Sequence, residues 1–199
     1  MGTIGFLDLP VVTPEAQAIF DEDVADFGYV MNVSRLWAYN PGMVIGLFEL
    51  MGQSISEHEL SFRDRGILVA ACASTLGDSY CSVAWGSKLA GVSDPDVAAG
   101  VIRGDDEGLT DQERALASWA RMAAKNPNGT TAEDVDALRS VGFTDKQIFA
   151  ITVFVALRLA FSTVNDALGV GPDVALCATA PEAVVSAVHY GRPPMDHAD

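Results

Sequence analysis

The segment Gly77-Asp78-Ser79-Tyr80-Cys81-Ser82-Val83-Ala84-Trp85 holds the residues whose types and spacing bear most directly on chemistry. A thiol that reduces peroxide needs an attacking sulfur, a group to take its proton and a second thiol to resolve the oxidised product. Cys81 supplies the sulfur. Asp78 stands where a second cysteine would complete a C-x-x-C pair, and Trp85 stands four residues on, where a histidine base would face the sulfur. On a helix that starts at Asp78, residues 78, 81 and 85 fall on one face. Asp78 then reads as an acid or base, as the N-cap that follows Gly77, or as both, because a cap residue can also line a pocket. Cys81 reads as a pocket thiol or a small buried hydrophobe, and Trp85 as an aromatic wall or core. In the functional reading Tyr80, Cys81 and Trp85 together shape the pocket.

Electrostatics disfavour a thiolate at Cys81. A helix N-terminus favours one by roughly 0.3–1 kcal/mol. A carboxylate about 5 Å away opposes it by up to ~3 kcal/mol at an effective dielectric near 20. The thiol is therefore expected to titrate high, and Cys81 is not expected to be a fast peroxidatic residue. Without a resolving partner in the motif, peroxide turnover would also need an external thiol.

Arg158 is the second candidate. It interrupts an apolar run from Gln147 to Val164, and a buried arginine needs an anion. Asp78, Glu57 or another subunit's carboxylate could supply it; alternatively Arg158 faces the pocket and binds a substrate carboxylate bidentately. Glu57-His58-Glu59 could bring a base to a pocket mouth, but its polarity points to a solvated turn, and His189 and His197 are expected to be exposed. The histidines lack metal-ligand spacing, and no phosphate-binding glycine loop occurs. No metal or other cofactor is expected.

These side chains must be positioned by helices. Thr13-Pro14-Glu15, Ser61-Phe62-Arg63-Asp64, Ser93-Asp94-Pro95, Thr110-Asp111-Gln112-Glu113, Thr131-Ala132-Glu133 and Thr144-Asp145-Lys146-Gln147 are helix starts, and strand alternation is nearly absent. Helices are predicted near 14–26, 40–53, 62–76, 79–90, 95–102, 111–125, 132–140, 145–168 and 181–189. Leu116, Trp119, Ala120 and Ala123 form a core-facing stripe. The Gln147–Val164 run is short for a membrane span, and Arg158 would cost roughly 2.5–3.5 kcal/mol near a bilayer centre, so a central bundle helix or an oligomer interface is expected. A faint echo between the stretches from Ser61 and from Thr144 raises an internal two-fold repeat.

The chain of 199 residues, 49% apolar, suits one domain over 1–190, with 191–199 as a flexible tail. Twelve Lys and Arg against 27 Asp and Glu give a net charge of -15, which argues against nucleic-acid and membrane-surface partners. Cys72, Cys81 and Cys177 form no secreted disulfide framework and no export signal is evident, so a cytoplasmic setting is expected.

Ser61-Phe62-Arg63-Asp64-Arg65, the apolar helix after it, Gly77 and Tyr80-Cys81 together resemble the alkylhydroperoxidase D-like, or carboxymuconolactone decarboxylase, superfamily. Thr130 through Val135, Gly142-Phe143-Thr144-Asp145 and Asp166-Ala167-Leu168-Gly169-Val170 resemble its peroxidase-related branch. The resemblance spans roughly residues 30 to 170. It implies an all-α helical bundle, assembly as a dimer, trimer or hexamer, and a pocket beside the cysteine-bearing helix. The peroxidase branch works with a Glu twelve residues before its first Cys, a C-x-x-C pair and a His, which fall here on Gly66, Asp78, Cys81 and Trp85. Three of the four differ. The decarboxylase branch carries a Glu at the Cys81 position and a His at the Trp85 position, and its Asn-Arg pair falls on Ser162-Thr163. Neither activity transfers directly.

Two classes of function follow. One is a non-redox small-molecule enzyme of lyase, decarboxylase or isomerase/cyclase type, with Asp78 moving protons, Cys81 in the pocket and Arg158 anchoring an amphipathic, anionic substrate. The other is a binding or assembly protein whose redox site has decayed. A one-cysteine peroxidase with an external thiol stands third.

Overall fold

Side-chain oxygens of Thr13, Ser61, Asp78, Asp94, Thr110, Thr131 and Thr144 each accept a hydrogen bond from the first turn of the helix they precede. At Ser61, Thr110, Thr131 and Thr144 the residue three positions on reaches back to the cap amide. These reciprocal pairs satisfy donors that a helix start otherwise leaves open. The fold is described by a computed structural model for residues 2–56 and 60–196. Its helices are α1 (Pro14–Phe27), α2 (Asn32–Trp37), α3 (Pro41–Ser56), α4 (Phe62–Leu76), α5 (Ser79–Ala90), α6 (Pro95–Arg103), α7 (Asp111–Lys125), α8 (Ala132–Ser140), α9 (Asp145–Ala167), α10 (Val174–Thr179) and α11 (Glu182–Ala187). A two-residue hairpin, β1 (Thr3–Ile4) and β2 (Leu7–Asp8), precedes them.

The all-α expectation holds, and the predicted helices occur with ends shifted by a few residues. Helix α4 forms much of the core, with Gly66 through Ala73 all buried, and packs against α5, α6, α7 and α9. The stripe Leu116, Trp119, Ala120 and Ala123 of α7 is buried as expected. Helix α9 buries one face, including Ile151, Phe154, Val155, Arg158 and Phe161, while Phe149 is exposed. It is continuous, whereas the first half breaks at Gly77, so the sequence echo is not matched in helix lengths.

Gly77 is the hinge that places the site. Its φ of 80° lies in the left-handed region, which a side chain would strain, and it ends α4 there. The chain can therefore reverse at once and present Asp78 as the cap of α5.

Sequence periodicity missed α2, α10 and the hairpin. Neither short helix has a side-chain N-cap bond; both are held by tertiary contacts. The Asn32 amide donates to Asp173 Oδ1 at 2.8 Å, and Asn32 Nδ2 donates to the carbonyls of Gly171 and Met195.

The tail corrects an expectation. Residues 191–195 are not a frayed arm: the Arg192 amide donates to Ser79 Oγ, whose hydroxyl donates back to the Arg192 carbonyl, and the Met195 amide donates to the Pro172 carbonyl. The Arg192 guanidinium bonds the Asp166 carbonyl and covers the Phe6 ring at 4.6 Å, joining the hairpin, the end of α9 and the start of α5. His189 is exposed as expected, and His197 lies outside the described residues.

Asp166 in this junction titrates at about 7, raised first by burial and then by the Asp78 charge, against a smaller opposing pull from Arg192. Its protonated form is the one the fold favours, so its contribution is whole below the ordinary carboxyl range and lost as pH rises to about 7. Asp166→Asn is expected to gain thermal stability relative to the native chain as pH goes from about 4 to 7, read as a widening difference in Tm across that window.

Candidate functional site

A cavity of about 590 Å³ lies among α1, α2, α3, α5 and α9. Helix α5 gives it Cys81, Ala84, Trp85 and Lys88, a run at i, i+3, i+4 and i+7, with Tyr80 beside them. Trp37 of α2, Val44 and Phe48 of α3, and Arg158 and Phe161 of α9 close the other sides. The aromatic walls are ordered: Trp37 stacks on Phe161 with ring centres 5.6 Å apart, Phe48 tilts onto Phe161, and Phe62 supports Trp85 from behind.

Four of the five residues singled out from the sequence, Tyr80, Cys81, Trp85 and Arg158, converge on this cavity. Asp78 does not line it. It is fully buried, and its Oδ1 accepts the Cys81 amide at 2.8 Å, as an N-cap does. Oδ2 has no hydrogen-bond partner among the described residues. A cap side chain folds back over the first turn instead of projecting radially, so the shared helical face did not bring Asp78 to the wall. Its effect on bound molecules must pass through Cys81.

Arg158 is 3% exposed and no carboxylate meets it among the described residues. Nη2 donates to Cys81 Sγ at 3.4 Å and Nη1 to Met51 Sδ at 3.9 Å, both weak acceptors, while Nε has no partner. The guanidinium carbon sits 5.2 Å from the Phe161 ring centre and 5.4 Å from that of Trp85. Two aromatic rings thus lie against the cation. Asp78 is not its hydrogen-bond partner, and Glu57, with the rest of Glu57-His58-Glu59, lies outside the described residues.

Burial pushes the Cys81 thiol far up; the Asp78 charge adds to this, and Arg158 and a hydrogen bond with Ser162 pull back less. The direction is the one expected from the sequence, but desolvation is the larger cause. Cys72 on α4, also buried, is pushed up to about 12, and all three thiols are free. Tyr80 contributes its ring and not its hydroxyl, which donates to Asp173 Oδ2 at 2.7 Å. Burial likewise raises Asp173.

The remaining departures from the peroxidase pattern have a steric basis. A Cβ at Gly66 would stand 3.1 Å from Leu89 Cβ, so the site that would take a glutamate is filled by α5 itself. Trp85 occupies the histidine position as a wall. Ala84 and Lys88 were missed although their spacing from Cys81 signals them, and Phe161 although it stands three residues after Arg158; Trp37 on α2 and Phe48 and Met51 on α3 carry no such signal.

An all-helical bundle with a cysteine at the start of a buried helix, facing a cavity, defines the class: the chain has the alkylhydroperoxidase D-like fold. No family model and no curated protein matches it. Among solved structures it is similar to a peroxidase-related protein from Ralstonia eutropha JMP134 with an alkylhydroperoxidase AhpD core, at 22% identity, 88% coverage of this chain, 96% of that one and a TM-score of 0.78. A peroxidase-related protein from Silicibacter sp. TM1040 gives 23% identity, 86% and 93% coverage and a TM-score of 0.76. The debrominase Bmp8 gives 14% identity, 88% and 92% coverage and a TM-score of 0.70. A cysteine-to-alanine variant of that debrominase has been solved in complex with 2,3,4-tribromopyrrole.

Proposed function

We propose that this chain is a small-molecule enzyme that moves protons on an amphipathic, anionic substrate held in the cavity, in a reaction of isomerase/cyclase, lyase or decarboxylase type. The observation that carries this reading is the contact between Cys81 Sγ and Arg158 Nη2 at 3.4 Å in the wall of an aromatic cavity, with the Asp78 carboxylate behind it. A thiol that titrates high rests in its protonated form, so it acts first as an acid and becomes a base only after its proton has passed to substrate. Cys81 gives its S–H proton to one carbon of an unsaturated substrate, which leaves a sulfur anion stabilised by Arg158, and that anion takes a proton from a neighbouring carbon, so the double bond moves and the thiol is restored. A proton shift of this kind is redox-neutral and has no use for a resolving thiol. The debrominase bound to a small aromatic ring supports a ligand-sized cavity on this fold.

Asp78 is therefore a positioning residue, which caps α5 and sets the basicity of Cys81, and Cys81 is the group that touches substrate. Incubation with a library of small apolar acids in deuterated water tests this. The native chain is expected to wash deuterium into a carbon–hydrogen position of its ligand, and Cys81→Ala to lower that rate by about 10²-fold or more. Equal exchange by Cys81→Ala would remove the thiol from the mechanism.

A further inference from the structure

We infer that the substrate is a monocarboxylate that enters the cavity carboxyl group first, against Arg158, with its apolar body lying towards the mouth. This rests on the proposed reading of the cavity as the reaction site.

The cavity has a direction. Arg158, 3% exposed, marks its inner end, while Phe27, Ile45 and Phe48, at 46%, 45% and 46%, mark the outer end. Mostly apolar walls join the two, with Asp23 and Ser34 among them. Among the described residues the inner cation has only sulfur acceptors and an Nε without a partner, so its charge is left for something that enters. Phe161 and Trp85 both lie against the guanidinium, and its edge has only sulfur acceptors on Nη1 and Nη2 and no partner at Nε among the described residues. An edge presented in one plane matches a flat carboxylate, which it can engage with two parallel bonds. A phosphate would call for further deep donors, and the other cation lining the cavity, Lys88, is exposed on the solvent side with its ammonium over Trp85 at 4.9 Å.

The outer end selects against a second anion. Glu22 and Glu49 are exposed and line the cavity, so a ligand with a carboxylate at each end would place one of them among like charges. A carboxylate oxygen about 2.8 Å from Nη2 lies within about 6 Å of Cys81 Sγ. The carbons next to the carboxyl group are therefore the ones the thiol reaches, and those are the positions at which proton exchange is expected.

Titration calorimetry of the full chain with phenylbutyrate, phenylbutanol and para-carboxyphenylbutyrate tests the inference without knowledge of the natural substrate. Phenylbutyrate is expected to bind about tenfold or more tightly than either of the others. Arg158→Met is expected to erase the preference for the acid over the alcohol, with the acid losing far more affinity than the alcohol, and Glu49→Gln to narrow the gap between the diacid and the monoacid. Alcohol binding as tight as the acid overturns the carboxyl-first orientation but leaves a small-molecule cavity standing. Diacid binding as tight as the monoacid overturns the selection at the mouth. Failure of all three probes to bind overturns this inference and, with it, the cavity as the reaction site. Deuterium exchange lost only in Cys81→Ala, with no preference for acids, would separate the two, retaining the thiol and rejecting the carboxylate.

Discussion

Arg158→Met is expected to make the ligand-free protein more stable, by about 1–3 kcal/mol, while it abolishes binding of anionic ligands. The guanidinium is taken out of water at 3% exposure, and among the described residues it has no carboxylate partner and Nε is unbonded. Desolvation of such a charge costs several kcal/mol, and the two ring contacts return about 1–2 kcal/mol each at most. Methionine has a comparable length and is compatible with Met51, Trp85 and Phe161, so little cavity should remain. Chemical denaturation of both forms without ligand reads the difference. A gain in stability marks a residue retained for something other than the fold. A loss above about 1 kcal/mol would show that Arg158 is a structural member of the core, paired well enough by sulfur and aromatic rings.

The second large effect is expected at Asp78. Asp78→Asn keeps an oxygen that can accept the Cys81 amide, so α5 should retain its start, but it removes the charge beside the thiol. At about 5 Å and an effective dielectric near 20 that charge is worth up to ~3 kcal/mol, so the thiol should titrate roughly two pH units lower. Burial, the larger cause of the shift, remains, so Cys81 should still titrate above an exposed cysteine. The pH dependence of Cys81 alkylation, in a background with Cys72→Ala and Cys177→Ser, measures this. An unchanged profile would mean that the Asp78 charge does not act on the sulfur.

The helical frame was legible because it is written in local chemistry. Caps such as Thr110 with Glu113 and Thr144 with Gln147 act within three residues, and the α7 stripe repeats at the helical period. The elements that escaped notice, α2, α10 and the docked tail, are held by contacts more than a hundred residues apart in sequence, such as Asn32 to Asp173 and Arg192 to Ser79. The site divides the same way. Cys81 and Trp85 could be placed together because they share a helix face, and Arg158 could be read as buried from the apolar residues around it. What faces Arg158 could not be read, because its neighbours Met51, Cys81, Trp85 and Phe161 come from three helices. Asp78 misled for a specific reason: at an N-cap the side chain turns back onto the backbone, so helical periodicity does not describe where it points.

The substitutions in the cysteine motif act in one direction. A carboxylate replaces the partner thiol, an indole replaces the base, and burial exceeds the carboxylate's charge in keeping Cys81 protonated. Such a sulfur can give a proton to a carbon centre as a thiol and is poorly suited to attacking a peroxide, which needs the thiolate. The most direct measurement is the rate of sulfenic acid formation at Cys81 of the native chain under micromolar hydrogen peroxide, followed by mass spectrometry after dimedone trapping. Oxidation no faster than that of an ordinary unactivated cysteine is expected; sulfenic acid formed at Cys81 within seconds would show that the sulfur is peroxidatic after all.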